Sequence, residues 1–260
     1  MKRFHALEWE DLDWFPKSWR DFGTDYLMFI ATKFDIYKSI LPYLEKGLDA
    51  SGSNEWVDCA SGGGGALIKL TENLRTNRLD LKVIMTDYFP NEKAFERTQN
   101  CFPENITYEK ESVNALDLPT KFKGKFRTLF GAFHHFKPND ARQILLNAVD
   151  TDAPIAIFKP VGRDFASCFS MLFVIPNILL LTPFIRPVRW TVLPFIYLIP
   201  IIPLYILWDG IASILRTYSE KERWELINSV KEIEKYDWEV GKVKSGPAAV
   251  HFLFGKKKSE

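Results

Sequence analysis

The sequence is poor in cysteine. Cys59, Cys101 and Cys168 are its three thiols, with no CxxC pair and no His/Cys spacing of the kind that holds a metal. That excludes a disulfide ladder and zinc-ribbon chemistry, and it suits a reducing compartment. Net charge is also missing: 34 Lys and Arg stand against 33 Asp and Glu. A general nucleic-acid binder gathers a basic excess on one face, so nucleic acid is not an expected partner. The opening MKRFHALEWEDLDWF places acids where a signal peptide needs an apolar run. The expected compartment is the cytoplasm. Aromatic residues, at 15%, are plentiful by contrast, and they concentrate before residue 40 and between 165 and 208.

A chain of 260 residues suits one α/β domain or a domain with a large insertion. Trp19 to Leu48 carries apolar residues at helical spacing (Tyr26, Phe29, Ile30, Phe34, Tyr37, Ile40, Leu41, Leu44), and Gly47 marks its end. A loop over 49–54 follows. Strands are then expected at 55–58, 81–87, 106–111, 126–131 and 154–159, with helices between them at 66–74, 91–100 and 138–149. That alternation implies right-handed crossovers and a parallel sheet covered on both faces. Two last strand-like runs, 238–243 and 248–254, are joined by Lys-Ser-Gly-Pro, too short for a crossover, so they pair antiparallel. The expected fold is α/β: a doubly wound, seven-stranded, mostly parallel sheet with an antiparallel C-terminal hairpin and an apolar helical insertion after the fifth strand.

The strongest local signal is Val57-Asp-Cys-Ala-Ser-Gly-Gly-Gly-Gly-Ala66, a strand that breaks into glycines and then a helix. Such a turn brings bare backbone to a ligand at the positive end of a helix dipole. Asp87 closes the second strand 22 residues after Gly65, where a carboxylate can accept both hydroxyls of a ribose. Four contiguous glycines fit G-x-G-x-x-G poorly, and the terminal hairpin also argues against a nicotinamide oxidoreductase. Strand three leads into Ser112-Val-Asn-Ala-Leu-Asp-Leu-Pro119.

Over residues 55–160 and the closing hairpin, the chain resembles the class I, Rossmann-fold S-adenosylmethionine (SAM)-dependent methyltransferase superfamily. The resemblance implies SAM as cofactor. It implies that Asp58 and the loop Ala60, Ser61, Gly62, Gly63 and Gly64 face its methionine end, and that Asp87 takes the ribose. Tyr88 and Phe89 would lie near the adenine face, Ser112, Val113 and Asn114 near its edge, and Gly131 and Ala132 beside the methyl donor. Asn114 stands where the family usually has an acid; it keeps an acceptor oxygen but no charge. The implied organisation is a helical cap (1–54), a SAM-binding core (55–163), the insertion (164–209) and a C-terminal completion of the core (210–260). As turn residues or an N-cap, the glycines and Asp87 also have a purely structural explanation.

Gly131-Ala-Phe-His-His-Phe-Lys-Pro138 sits beyond the carboxyl end of strand four, where this fold presents ligands. Methyl transfer needs alignment and sometimes removal of a proton, and imidazole titrates in the right range. His135, with His134 second, is the expected proton acceptor; a helix cap or backbone hydrogen bond would equally occupy a histidine. Arg20, Asp21 and Tyr26 are candidates to reach the SAM carboxylate, set against membership of a solvated helix face. Arg216 and Tyr218 precede a capping box, Ser219 with Glu222, and are candidates to face the substrate.

Phe165–Ile185 and Trp190–Trp208 carry no charge over 21 and 19 residues, close to a membrane span. Five prolines (176, 183, 194, 200, 203) and a tip holding Arg186 and Arg189 argue against a crossing hairpin. A shallow element on the cytoplasmic leaflet is expected, with Trp190, Tyr197, Tyr205 and Trp208 at the interface. A lid on the protein's own core and a homodimer interface are the competing covers. The function this suggests is methylation of a hydrophobic or lipid-like small molecule. The competing class is a non-catalytic SAM-fold protein serving as a membrane-associated scaffold.

Overall fold

A computed structural model describes residues 2–246 and 248–258. Seven strands form one sheet: β1 (Glu55–Cys59), β2 (Lys82–Thr86), β3 (Ile106–Tyr108), β4 (Phe126–Phe130), β5 (Ile155–Lys159), β6 (Tyr236–Ser245) and β7 (Ala248–Lys257). Their order is β3-β2-β1-β4-β5-β7-β6. The first five are parallel, and β7 joins β5 antiparallel with β6 outside it. This is the sheet expected from the sequence.

Strands β1, β4 and β5 are buried almost throughout because helices cover both faces, so each reads as a hydrophobic run whose alternate residues serve opposite cores. Val57, Leu129, Ile155 and Ile157 pack with α5 (Pro138–Asp150) and α10 (Glu220–Asn228). Trp56, Phe126, Ala156 and Phe158 pack with α2 (Leu41–Ser51) and α3 (Gly65–Leu74). α4 (Glu92–Gln99) follows β2 and is capped by Asn91, whose side chain accepts from the Ala94 N–H.

The single N-terminal helix expected over 19–48 is two helices, α1 (Lys17–Lys33) and α2. Asp35, with φ 45°, turns the chain, and Pro42 occupies the first turn of α2, a place where its missing N–H costs nothing. Gly47 does not end the helix. It lies inside α2, where a Cβ would stand 2.3 Å from the Phe126 ring, and Gly52 (φ 61°) makes the left-handed cap instead. Strand β3 is also shorter than expected, ending at Tyr108.

The insertion folds as α6 (Phe165–Ser170), α7 (Val174–Leu181), α8 (Leu193–Tyr197) and α9 (Ile201–Arg216), the last running through residue 209 into the body. By length and composition Phe165–Phe184 is apolar enough to cross a membrane, whereas α8 and α9 meet at 81°. One side of the insertion packs on α1: Ile178, Ile185, Val192, Ile196 and Tyr205 enclose Phe15, Phe22 and Tyr26. Arg189, from the tip, reaches the Asp25 carboxylate at 2.7 Å and Asp21 at 3.3 Å. A crossing hairpin would carry Arg189 away from α1; here the tip returns to the body. The other side is open, with Phe165 at 84% and Trp190 at 76% exposure.

Candidate active site

The glycine turn is built by alternating left-handed residues. Ala60 (φ 53°), Gly62 (φ 56°) and Gly64 (φ 68°) lie in the region an L side chain rarely adopts. Around Gly62 no atom stands within 4 Å of where a Cβ would be, so its bare face meets open space. Its neighbours are closed in. A Cβ on Gly63 would lie 2.8 Å from Thr24 Cγ2, and one on Gly65 would lie 2.6 Å from the Met28 backbone. Helix α1 therefore lies against the turn and walls one side of it. Thr98 Oγ1 donates to the Gly63 carbonyl at 2.7 Å and fixes the other side.

Asp87 leaves the end of β2 and meets this turn directly. Its Oδ2 accepts the Gly62 N–H at 2.9 Å and its Oδ1 accepts the Phe89 N–H at 2.9 Å. A carboxylate has about four acceptor sites, so lone pairs remain for a diol. The turn and the carboxylate, which the sequence placed together from spacing alone, are in contact. Asp58, one strand over, is fully buried. Its Oδ1 accepts from Thr128 Oγ1 at 2.5 Å, and burial pushes its carboxyl up to about 7 against the pull of the Thr128 and Ser61 hydroxyls.

The residues expected beside the adenine lie together. Ser112 Oγ donates to the Tyr88 carbonyl at 2.7 Å, and the Val113 N–H donates to the Asp87 carbonyl at 2.8 Å. Tyr88 and Phe89 are exposed, edge to face, with ring centres 4.8 Å apart. Asn114 turns its side-chain oxygen onto the Leu116 N–H at 3.0 Å. On the far side of β1, Gly131 (φ 68°) ends β4 with its N–H on the Phe158 carbonyl at 2.8 Å, and Ala132 leads into the histidine turn.

His134 and His135 are not equivalent. His134 is buried, with Nε2 2.9 Å from Ser213 Oγ and 3.2 Å from Glu8 Oε1. Burial, and then the charges of Lys159, His135 and Arg216, drive its basicity far down, so it is a neutral ring. His135 is partly exposed. Its Nδ1 lies 3.3 Å from Asp11 Oδ1 and 3.6 Å from Glu8 Oε2. Burial works against protonation, but the Asp11 hydrogen bond and the charges of Glu8, Asp11 and Glu10 outweigh it and raise its affinity for a proton. Reciprocally, although burial alone would raise Asp11, His135 and Arg216 bring it to about 2.

Lys159, buried at the end of β5, donates to Ser213 Oγ at 2.6 Å, and burial lowers it to about 7. Arg216 reaches Asp11 at 2.6 Å, Glu8 at 3.4 Å and His135 Nδ1 at 3.3 Å. Glu8, His134 and His135 offer three ligand-type atoms within 4.8 Å of one another. The guanidinium of Arg216 already stands among the two acids and His135, so the positive charge that gathers them belongs to the protein.

Sequence reasoning missed Glu8, Asp11, Lys159 and Ser213. The signal for Glu8 was faint: Ala6 and Glu8 point in while Leu7 and Trp9 point out, a period-two alternation in a segment too short to stand out. Three residues expected near the cofactor are spent elsewhere. Arg20 donates to the Glu10 and Leu12 carbonyls, Asp21 pairs with Arg189, and Tyr26 is buried under the insertion. Their reach is taken by α1's packing on the insertion. Arg216 does face the histidines, whereas Tyr218 turns its hydroxyl onto the Phe136 carbonyl and lies beneath Arg3.

No protein-family model and no curated protein sequence matches this chain. Solved structures do. An O-methyltransferase from neocarzinostatin biosynthesis, in complex with SAM and 2-hydroxy-5-methyl naphthoic acid, superposes with a TM-score of 0.53 at 14% identity, covering 94% of this chain and 60% of that one. The methyltransferase domain of a bacterial Hen1 protein gives 0.51 at 10% identity, covering 86% and 100%. A Rhodobacter sphaeroides protein described as a putative zinc-dependent alcohol dehydrogenase gives 0.52 at 11% identity, covering 91% and 98%. The fold is that of the class I SAM-dependent methyltransferases. This chain spans about three fifths of the naphthoate enzyme's length, and at these identities the likeness speaks for the fold.

Proposed function

We propose that this protein is a SAM-dependent methyltransferase whose acceptor is a hydrophobic, lipid-like molecule met at the cytoplasmic face of a membrane. The observation that carries the first half is the cradle: Gly62 faces open space with its N–H on Asp87, at the switch point of a sheet with methyltransferase topology. Bound there, SAM would supply an electrophilic methyl group on a sulfonium. Asp87 would hold the ribose hydroxyls, Tyr88 and Phe89 the adenine face, and Ser112, Val113 and Asn114 its edge. Ala60 to Gly64 would present backbone to the methionine end, with Asp58 buried behind them. Gly131 and Ala132, without bulk, would leave the methyl group its path. His135 would receive the acceptor's proton through Nε2, since its Nδ1 faces Asp11 and Glu8.

The acceptor class rests on the insertion. It exposes Phe165, Phe169, Leu172, Phe173, Leu180, Phe184, Trp190 and Leu198, with Phe165, Phe169 and Phe173 in ring contact, the kind of apolar surface that marks a partner or a membrane. The N-terminal strap continues it, since Trp208 donates to the Leu7 carbonyl at 2.9 Å and Leu7, Trp9 and Trp14 are exposed beside it. Indole rings at the edge of an aliphatic surface suit a headgroup boundary. In this reading residues 55–163 hold the cofactor and 164–209 meet the acceptor's solvent. The test is incubation with methyl-labelled SAM and a total membrane-lipid extract. Label should enter the organic phase; label confined to water-soluble products would overturn the acceptor class.

A further inference from the structure

Residues 3–8 run as an extended strap past the histidine turn after β4 and the end of β5, close in a 3-10 turn over Trp9–Asp11, and are clamped by helix α9. Asp209 accepts the Trp9 and Glu10 N–H groups at 2.8 and 3.1 Å, Arg216 Nε donates to the Ala6 carbonyl, and the Phe4 N–H donates to the Leu215 carbonyl at 3.1 Å. These backbone contacts fix the strap's register, so Glu8 must turn inward. It is 1% exposed, between both histidines and Arg216. Its Oε1 is buried without a hydrogen bond of good geometry. Such a carboxylate is costly to bury, and a hydrophobic residue would serve the strap's packing better.

We infer that Glu8 is a positioning residue for methyl transfer: carried in by the strap, it sets the tautomer and charge of His135 so that Nε2 stays free for the acceptor's proton. The inference rests on the reading of the site as a methyltransferase. The charges explain why. His135 is faced by Glu8, Glu10 and Asp11 from the strap, Arg216 from α9 and His134 from its own turn, while Lys159 from β5 faces Glu8. Around Nδ1, two close carboxylates meet one guanidinium, which leaves a negative balance that stabilises the imidazolium formed when the neutral ring, protonated on Nδ1, takes the acceptor's proton on Nε2. In the reaction the acceptor's O–H or N–H bond breaks, its proton passes to Nε2, and the acceptor's electron pair forms the bond to the methyl carbon as the sulfonium is discharged to a thioether. Burial raises Glu8 to about 7, so its charge is present above neutrality and fades below it.

The test is Glu8→Gln in the full chain, read by histidine C2–H NMR titration with His135→Gln as the assignment control. This readout needs neither cofactor nor acceptor. The His135 midpoint should fall by about one pH unit, and Glu8→Asp should restore part of it. In turnover, kcat should drop roughly tenfold or more with its acid limb moved to lower pH, while SAM affinity by calorimetry stays within about twofold. An unmoved midpoint in both variants overturns the assignment. Loss of SAM binding in the wild-type chain would instead count against the methyltransferase reading, and the titration would still decide the role of Glu8.

Discussion

Replacing Asp58 by Asn should stabilise the protein, and increasingly so as pH rises from about 4 to about 7. Asp58 is fully buried, and its carboxyl is raised from 3.8 to about 7, chiefly by burial. A folded-state value above the unfolded one means that between about pH 4 and pH 7 the folded chain keeps a proton the unfolded chain has released. Stability therefore falls as pH rises through that window and stays reduced above it. At 1.36 kcal/mol per unit, the difference between 3.8 and 7 corresponds to roughly 4 kcal/mol, an upper value because the second amide hydrogen of Asn must also be housed. Asn retains an oxygen for the Thr128 hydroxyl, 2.5 Å away. Urea unfolding of both proteins at pH 5 and pH 8 is the assay. The variant should gain about 1–3 kcal/mol over wild type on going from pH 5 to pH 8, because the part of the penalty below pH 5 is already present in both measurements. A difference that does not change with pH would refute the idea that Asp58 is buried at the cost of its charge.

Two further expectations follow from the packing. Gly65→Ala would set a Cβ 2.6 Å from the Met28 backbone and push α1 off the turn, so it should cost about 1–3 kcal/mol in thermal unfolding; an unchanged melting temperature would contradict the close approach. Phe169→Asp with Trp190→Asp, both exposed, should leave folding intact and strip the protein from sedimenting anionic vesicles. If wild type stays in the supernatant as a dimer, the exposed face belongs to a second copy.

The sheet was legible because its signals are local. The short buried runs of β1, β4 and β5, the glycines after Cys59 and the short link between β6 and β7 each act over ten residues or fewer. Asp87 was legible for the same reason, being tied to a strand end whose distance from the turn is fixed by one crossover. The break between α1 and α2 was lost to periodicity, although Pro42 forbids a helix running through it. The acid side of the histidine cluster was out of reach. Glu8 and Asp11 stand more than 120 residues from His135, and nothing local requires them to be buried; the clamp from Asp209 and Arg216 decides it. For the same reason the tip arginine's partners left no local sign in the sequence: Arg189, which spoke against a crossing hairpin, pairs with Asp21 and Asp25 of α1.

The account depends most on the cradle formed by Gly62 and Asp87. Isothermal calorimetry with SAM on wild type and Asp87→Ala, each checked for fold by circular dichroism, addresses it directly. Loss of two hydrogen bonds to a charged acceptor, about 1.5 kcal/mol or more each, should weaken binding on the order of 100-fold. Equal affinity in the two proteins, or a wild-type chain that binds a nicotinamide dinucleotide and ignores SAM, would contradict it.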